Sequence, residues 1–458
     1  MQSRFYISAA HKSSGKTTVS IGLAAALKRR GESVQCFKKG PDYIDPMWLA
    51  HASAKPCFNL DFNVQSNDEI RQTLSRASDA NVALIEGSKG LYDGTELDGS
   101  NSNAAMARLL IAPVVLVIDC RGITRGIAPL LQGYAGFESV DFAGVILNMV
   151  GGSRHESKLR KAIEHYTSFK VLGAVPFDPL MEIKERHLGL MPSNEHHERD
   201  RVRDDICQHV EKNVDLDLLL SETGRPSPVE LREPTVEKTA IGSLTIAIAR
   251  DEAFGFYYAD DLDQFEKLGA KLRFFSPIHD TKLPDADALF IGGGFPESFA
   301  KELSQNTAML QQVRRFCQLD KPMYAECGGL MYLSRSITTN AGSYEQAGVL
   351  DLDVTMKDKP CGRGYVRVCP TGRHPWPAEP DEIRAHEFHY SYARAFAPDS
   401  QFAYKVERGH GFDGKHDGLV VGNILANYLH QRHTASNPWV SRFLNFVQQS
   451  GSGEKDVN

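Results

Sequence analysis

No CxxC pair occurs anywhere in the 458 residues, and the eight cysteines are scattered without metal-ligand spacing. Zinc-ribbon and dithiol redox chemistry are thereby excluded, and free thiols in a reducing cytoplasm are expected. Long apolar runs are missing as well. The longest, such as Leu109 to Ile118, are too short and too interrupted to span a bilayer. The opening stretch MQSRFYISAA lacks the positive region and extended apolar core of a secretory leader. Positive charge is not in excess: 52 Lys and Arg stand against 58 Asp and Glu, a net charge of -6 that leaves no basic stripe for nucleic acid. Neither a nucleic acid nor a membrane is an expected partner. What is present is 41% hydrophobic and 24% charged residues, the balance of a soluble globular protein long enough for two or three cores.

Short β-branched or apolar runs alternate with amphipathic stretches over the first two hundred residues. FYISAA, SVQCFK, VALIEG, VVLVID, GVILNMV and VLGAVPF read as buried strands, with helices such as Val19 to Arg30 and Arg154 to His165 between them. That alternation predicts an α/β fold with a parallel, doubly wound sheet. From about Met191 the text turns polar and proline-punctuated, then a second αβ pattern begins with LTIAIAR, LRFFSP, ALFIGGG and PMYAECG. After Gly342 it becomes β-like and rich in turns. The expected division is a first domain over residues 1–192, a connector over 193–240, a second domain over 241–445 and a flexible tail over 446–458.

The first strand runs into Ala10-His11-Lys12-Ser13-Ser14-Gly15-Lys16-Thr17-Thr18, and a helix is expected to open at Val19. A small-residue loop between strand and helix aims backbone N–H groups at phosphate oxygens, and the helix N-terminus adds partial positive charge. Ser13, Ser14, Gly15, Lys16, Thr17 and Thr18 are therefore the candidate ATP-binding residues. Lys16 would reach the β- and γ-phosphates and the Thr17 hydroxyl would complete a Mg²⁺ shell. The loop departs from the usual G-x-x-x-x-G-K-[ST] pattern in having Ala10 at its first position. Glu86 closes the buried strand VALIE, where a P-loop sheet places a metal-binding acid. Asp42 and Asp45, in GPDYIDP after the second strand, are candidates for Mg²⁺ and substrate positioning, with Asp45 joining Thr17 and Glu86 as a metal residue.

A second centre lies at Pro322-Met323-Tyr324-Ala325-Glu326-Cys327-Gly328-Gly329. An apolar strand enters a sharp turn with Cys327 at its apex and Ala325 and Gly329 two residues either side, the spacing of a nucleophile elbow. A thiol at a helix start is expected to favour its thiolate. The glycine turn after ALFI offers Gly293 and Gly294 as an oxyanion site. A cysteine nucleophile needs a histidine base, and His430 and His433 are the candidates, with His430 preferred because it follows a strand directly. His386 and His389, in HEFHY, read as structural rather than metal-binding.

These motifs carry a resemblance. GPDYIDP (Gly40 to Pro46), NLDF (Asn59 to Phe62), IEGSKGLYDG (Ile85 to Gly94), ERHLGL (Glu185 to Leu190), IARDEAFGFYY (Ile248 to Tyr258), GGGFPE (Gly292 to Glu297), AECGGLMYL (Ala325 to Leu333) and HEFHYS (His386 to Ser391) follow one another as in the cobyrinate a,c-diamide synthases, which the chain resembles over nearly its whole length. Those proteins are relatives of cobyric acid synthase and dethiobiotin synthetase. The resemblance implies a dethiobiotin synthetase-like P-loop ligase domain followed by a class I glutamine amidotransferase domain. It also implies ATP with Mg²⁺, glutamine and an acidic tetrapyrrole as ligands, and it is compatible with a homodimer. In that family pattern the Asp42-Tyr43-Ile44-Asp45 loop and Glu86 serve the substrate carboxylate and Mg²⁺, and Cys327 is the glutaminase nucleophile. Cobyrinic or hydrogenobyrinic acid, amidated through acyl phosphates at its a and c side chains, is the family's default substrate. A sirohaem-type substrate stays open beside it, and Met47-Trp48-Leu49 fall in the expected substrate loop. Two departures stand out: Ala10 and His11 in the phosphate loop, and HQRHTASNP where His-x-His is expected. A P-loop regulatory or binding module without turnover is the non-enzyme alternative.

Overall fold

A computed structural model describes residues 3–181, 183, 185–186, 189–224, 227–229, 242–376, 381–394 and 396–452. The chain divides into two compact units, residues 1–234 and 235–458. No helix among the described residues is long and apolar enough to cross a membrane.

In the first unit strands and helices alternate as β1 (Ser3–Ala9), α1 (Lys16–Arg29), β2 (Val34–Lys39), α2 (Ile44–Ser53), β3 (Phe58–Leu60), α3 (Asn67–Leu74), β4 (Val82–Glu86), α4 (Asn103–Leu109), β5 (Val114–Asp119), α5 (Ile127–Phe137), β6 (Phe142–Val150), α6 (Ser153–Tyr166) and β7 (Val171–Pro176). The strands form one seven-stranded sheet in the order β3-β2-β4-β1-β5-β6-β7, and every pairing is parallel. Helices on both faces leave the strands buried throughout, which is why they read as continuous apolar runs instead of alternating ones. Central β1 and its neighbour β4 send Ala10 and Glu86 out at the same carboxyl edge, where a doubly wound sheet opens its crevice.

The expected connector is largely structure belonging to this unit. A short hairpin, β8 (Glu185–Arg186) and β9 (Gly189–Leu190), precedes α7 (Arg199–Asn213) and α8 (Leu216–Thr223). Helix α7 lies against α1 at Gly22, where an added Cβ would meet Val210 Cβ at 2.7 Å and Ile206 Cγ2 at 3.2 Å. Arg30 pairs with Asp217 at 2.7 Å, and Ser3 shares a 2.5 Å hydrogen bond with Thr223. The charged text of this stretch is the outer face of α7, whose Val202, Ile206, Cys207 and Val210 are buried. His187 and Leu188 of ERHLGL, and residues 225–226 and 230–240 of the connector, lie outside the described residues.

The second unit runs β10 (Thr245–Ala249), β11 (Phe254–Phe256), α9 (Ala259–Lys267), β12 (Lys271–Phe275), β13 (Ala288–Ile291), β14 (Gly293–Gly294), α10 (Ala300–Gln305), α11 (Thr307–Gln318), β15 (Met323–Glu326) and α12 (Gly328–Leu333). It continues through β16 (Ser336–Thr339), β17 (Gly342–Glu345), β18 (Asp353–Met356), β19 (Gly362–Pro370), β20 (Ile383–His389), β21 (Ser391–Arg394), β22 (Gln401–Arg408), β23 (His416–Val421), β24 (Ile424–Asn427) and α13 (Trp439–Ser452). A nine-stranded sheet in the order β12-β10-β13-β15-β24-β23-β22-β19-β20 is parallel from β12 to β24 and antiparallel beyond. Alternate residues of β15 face opposite cores: Met323 and Ala325 join Leu289 and Leu330, while Tyr324 joins Phe290, Trp439 and Phe443. Helix α13 buries Trp439, Val440, Phe443, Leu444 and Val447 on the second face and runs to Ser452. The expected tail from residue 446 is thus helix up to there, because its apolar spacing continues the core-facing stripe. Residues 453–458 lie outside the described residues.

Candidate active site

Between β1 and α1 the chain turns through Ser13 (φ 66°) and Gly15 (φ 83°), both in left-handed backbone. The Ser14 hydroxyl donates to His11 O at 2.8 Å, Tyr134 Oη to Ala10 O at 2.6 Å, and Asn148 Nδ2, from the end of β6, to Ser14 O at 2.9 Å. At Gly15 a Cβ would run into the Asn148 side chain, so both the dihedral and the space require glycine. Helix α1 starts at Lys16 rather than Val19, which makes Lys16, Thr17 and Thr18 its first turn, where backbone N–H groups lack helical partners. A phosphate is the natural acceptor for them.

Four predicted residues and one unforeseen residue meet at this edge. Thr17 Oγ1 lies 2.8 Å from Glu86 Oε1 and 3.2 Å from Asp45 Oδ2. Lys38, the next-to-last residue of β2, bonds Glu86 Oε1 at 2.7 Å and Asp45 Oδ2 at 2.5 Å, and stands 3.9 Å from Asp42 Oδ2. Asp42 Oδ1 accepts from the N–H groups of Ile44 and Asp45, so it also starts α2. Asn59 of NLDF ties Gly40 O and Asp42 O with its amide at 2.9 and 2.7 Å. Burial lowers Lys16 to about 8, with the charge of Lys38 adding to it. Burial also opposes charge on Lys38, but Asp45 and Glu86 outweigh it and raise that ammonium well above its ordinary range. Burial pushes Asp42 up to about 7, and the Asp45 carboxylate adds to the push. At Asp45 burial acts the same way, yet Lys38 wins and the net shift is downward.

Glu86 Oε2 is buried with no hydrogen-bond partner among the described residues. A hydroxyl and two carboxylates are hard oxygen donors of the kind that hold Mg²⁺ together with substrate phosphates. Thr17, Asp45 and Glu86 therefore fit the ion. Tyr43 is buried beside them at the start of α2. Trp48 and Leu49 correct an expectation: both are fully buried in α2, with Trp48 Nε1 donating to Met191 O at 2.9 Å. They are core residues, which removes them as a surface for reading substrate.

In the second unit β15 ends at Glu326, and Cys327 takes φ 45°, ψ -94°, a strained conformation of the kind that marks functional turns. Cys327 N donates to Asn427 O at 2.7 Å. The following glycines are sterically required: a Cβ on Gly329 would collide with Ile291 O, and one on Gly328 would lie 3.0 Å from Gly294 N. The same turn brings Gly293 against His430, since a Cβ there would meet His430 Cε1 at 2.5 Å. Cys327 Sγ sits 3.9 Å from Phe388 O. Thiol turn, glycine turn and His430 thus share one edge of the sheet.

The two candidate histidines separate clearly. His430 Nδ1 is 3.2 Å from Glu326 Oε2, and its ring stacks on His386 at 4.9 Å between centroids. His433 Nδ1 instead accepts from the Val440 N–H, within α13. His386 and His389 do not converge as a metal pair: His386 packs on His430, while His389 stacks on Tyr428 at 3.9 Å and its Nδ1 is 2.7 Å from Ser391 O. Three residues apart on a strand, they point to opposite faces. The expected helix-favoured thiolate is also corrected. Burial raises the Cys327 thiol above its ordinary range, Glu297 and Glu326 add to this, and the Gly328 N–H works against it without outweighing them. The helix behind it has six residues, too little to outweigh burial.

Lys38, Glu326 and Asn148 were not singled out in the sequence. The pairing registers Lys38↔Glu86 and Glu326↔Asn427 place the first two, and such registers have no local signature.

A parallel nucleotide-binding sheet and a cysteine elbow in a second αβ unit define a glutamine-dependent ligase. Residues 7–190 match the CobQ/CobB/MinD/ParA nucleotide binding domain family and residues 245–438 the CobB/CobQ-like glutamine amidotransferase domain family. The chain is 42% identical over 457 residues to the cobyrinate a,c-diamide synthase of Magnetococcus marinus, covering 98% of each chain. It is 41% identical to that of Methanosarcina acetivorans, covering 93% of this chain and 92% of the other. The chain belongs to the cobyrinate a,c-diamide synthase family, a carbon–nitrogen ligase with an ATP-binding unit and a glutamine amidotransferase unit.

Proposed function

We propose that the chain amidates the a and c side-chain carboxylates of cobyrinic or hydrogenobyrinic acid, using ATP to activate each carboxylate and glutamine as the nitrogen source. The observation that carries this reading is the likeness to cobyrinate a,c-diamide synthases across both units, with the Lys16, Thr17, Asp45 and Glu86 cluster in one and the Cys327, His430 pair in the other.

A carboxylate at neutral pH repels ammonia's lone pair and offers no leaving group. Its oxygen attacks the γ-phosphorus of ATP, the bond to ADP breaks, and an acyl phosphate forms. Ammonia then attacks the acyl carbon and inorganic phosphate departs. The loop amides of Ser13 to Thr18 and Lys16 hold the phosphates in line, and Lys38 neutralises the acids around them. Thr17, Asp45 and Glu86 would hold Mg²⁺, which would supply positive charge to the phosphate oxygens. Asp42 and Tyr43 position the substrate.

In the other unit the raised thiol makes a base obligatory. His430 takes the Cys327 proton as sulfur attacks the glutamine side-chain carbonyl, and the turn at Gly293 and Gly294 receives the oxyanion. His430 returns the proton to the departing nitrogen, ammonia leaves, and water hydrolyses the thioester to glutamate.

The test incubates purified protein with Mg²⁺, ATP and either cobyrinic acid or sirohaem, with glutamine or ammonium as donor, and follows product mass. Each conversion lowers mass by about one unit. Cys327→Ser is expected to abolish the glutamine-driven reaction, whose covalent step it removes, and to keep the ammonium-driven one. Two mass steps on cobyrinic acid support the proposal. Amidation of sirohaem alone reassigns the substrate, and no product from either donor sinks the ligase chemistry.

A further inference from the structure

The base has an acceptor that sequence order conceals. His430 is buried, and its Nδ1 lies 3.2 Å from Oε2 of Glu326, a buried carboxylate one residue before the nucleophile. The other oxygen, Oε1, is held by two donors: Tyr324 Oη at 2.6 Å and the Gln431 N–H at 3.0 Å. Gln431 Nε2 in turn donates to Tyr324 Oη at 2.9 Å. With Oε1 committed, only Oε2 faces the imidazole. The His386 ring lies nearly parallel to His430, 18° between planes, and backbone hydrogen bonds tie the two residues, with His430 N donating to His386 O at 2.7 Å.

We propose that Glu326 is the positioning carboxylate of this glutaminase site, completing a Cys327–His430–Glu326 relay in which nucleophile and carboxylate are adjacent in the chain. The inference rests on Cys327 and His430 being the glutaminase pair. A carboxylate only accepts, so it holds the hydrogen on Nδ1 and leaves Nε2 with its lone pair to take the thiol proton. As charge develops on the ring, Glu326 stabilises it. Glu326 follows Tyr324 on one face of β15, and the chain then turns sharply at Cys327 through strained backbone, φ 45° and ψ -94°. One turn therefore sets the nucleophile and the group that orients its base.

The prediction is specific because the donors to Oε1 are fixed. In Glu326→Gln the amide oxygen must face Tyr324 Oη and the Gln431 N–H, which turns the amide NH₂ toward His430 Nδ1. The ring must then accept there and carry its hydrogen on Nε2, the wrong tautomer for a base. Glutamine-driven amidation should fall about 100- to 10,000-fold in kcat with KM for glutamine within about threefold, the scale seen when such a carboxylate becomes an amide. The ammonium-driven reaction, performed by the other unit, should persist. Glu326→Asp, shorter but still an acceptor, should exceed the isosteric Gln variant by about tenfold or more. A merely structural side chain gives the reverse order, since Gln conserves shape and Asp does not.

The experiment measures kcat and KM for glutamine in the full-length native, Glu326→Gln, Glu326→Asp and Cys327→Ser proteins, each also with ammonium. Loss of kcat with Asp above Gln supports the relay. Gln equal to or above Asp overturns it, as does loss of the ammonium-driven reaction in the Gln variant, which marks a folding role. Should Cys327→Ser retain glutamine-driven turnover, the glutaminase assignment itself fails. If it is dead while Glu326→Gln is within about threefold of native, only the relay fails.

Discussion

At the scale of single residues, the chemistry turns on groups whose charge the fold controls. Cys327 shows this most directly. Burial, then the Glu297 and Glu326 charges, disfavour its thiolate, and with Asp417 adding to them the Gly328 N–H cannot compensate. A raised thiol is protonated at neutral pH and ionises only as pH climbs beyond the ordinary range near 8.5. Without glutamine, alkylation of Cys327 by iodoacetamide should therefore keep rising across about pH 7 to 9.5 with no plateau, because the rate follows thiolate fraction. Peptide mass spectrometry can read Cys327 apart from the other seven cysteines. A plateau near neutrality would reveal a preformed thiolate and refute the burial argument. The contrast between Cys327 and Lys38 shows what was legible in the residues. The elbow spacing exposes a nucleophile because its small neighbours adjoin it in the chain. Lys38 and Glu326 owe their roles to partners 48 and 104 positions away, distances no local motif encodes.

At the scale of elements, buried strands were the most legible feature. Six runs read from β-branched and apolar text correspond to β1, β2, β4, β5, β6 and β7, because parallel strands covered on both faces must be apolar throughout. The three-residue β3 lacked the length to stand out and was visible only as the motif NLDF. Helix α7 was hidden by charge, its solvent face outnumbering its buried positions, and the short, leucine-rich α8 by the polar text around it. Their attachment can be tested at Gly22. A valine there would push its side chain into Val210 and Ile206, and overpacking of this kind costs about 1–3 kcal/mol. Gly22→Val should lower the first unit's melting temperature by roughly 3–10 °C. Val210→Ala should recover part of the loss, and a double-mutant cycle measures that coupling. A neutral Gly22→Val would return residues 199–223 to the connector once expected there.

At the scale of the molecule, the division at residue 234 has a thermodynamic consequence. Each unit has its own sheet and its own buried core, so each is large enough to unfold as a cooperative body. A ligand stabilises only the body that holds its site, by about 2.7 kcal/mol when it is present at 100 times its Kd. For units of about two hundred residues that amounts to roughly 5–10 °C. Calorimetry should show two transitions. Magnesium with a non-hydrolysable ATP analogue should raise the transition that Gly22→Val lowers, because the phosphate loop and Gly22 share one helix. Covalent capture of Cys327 by a glutamine analogue should move the other. If a single transition responds to both ligands, the units unfold together and the separation of ligase and glutaminase into independent cores is wrong.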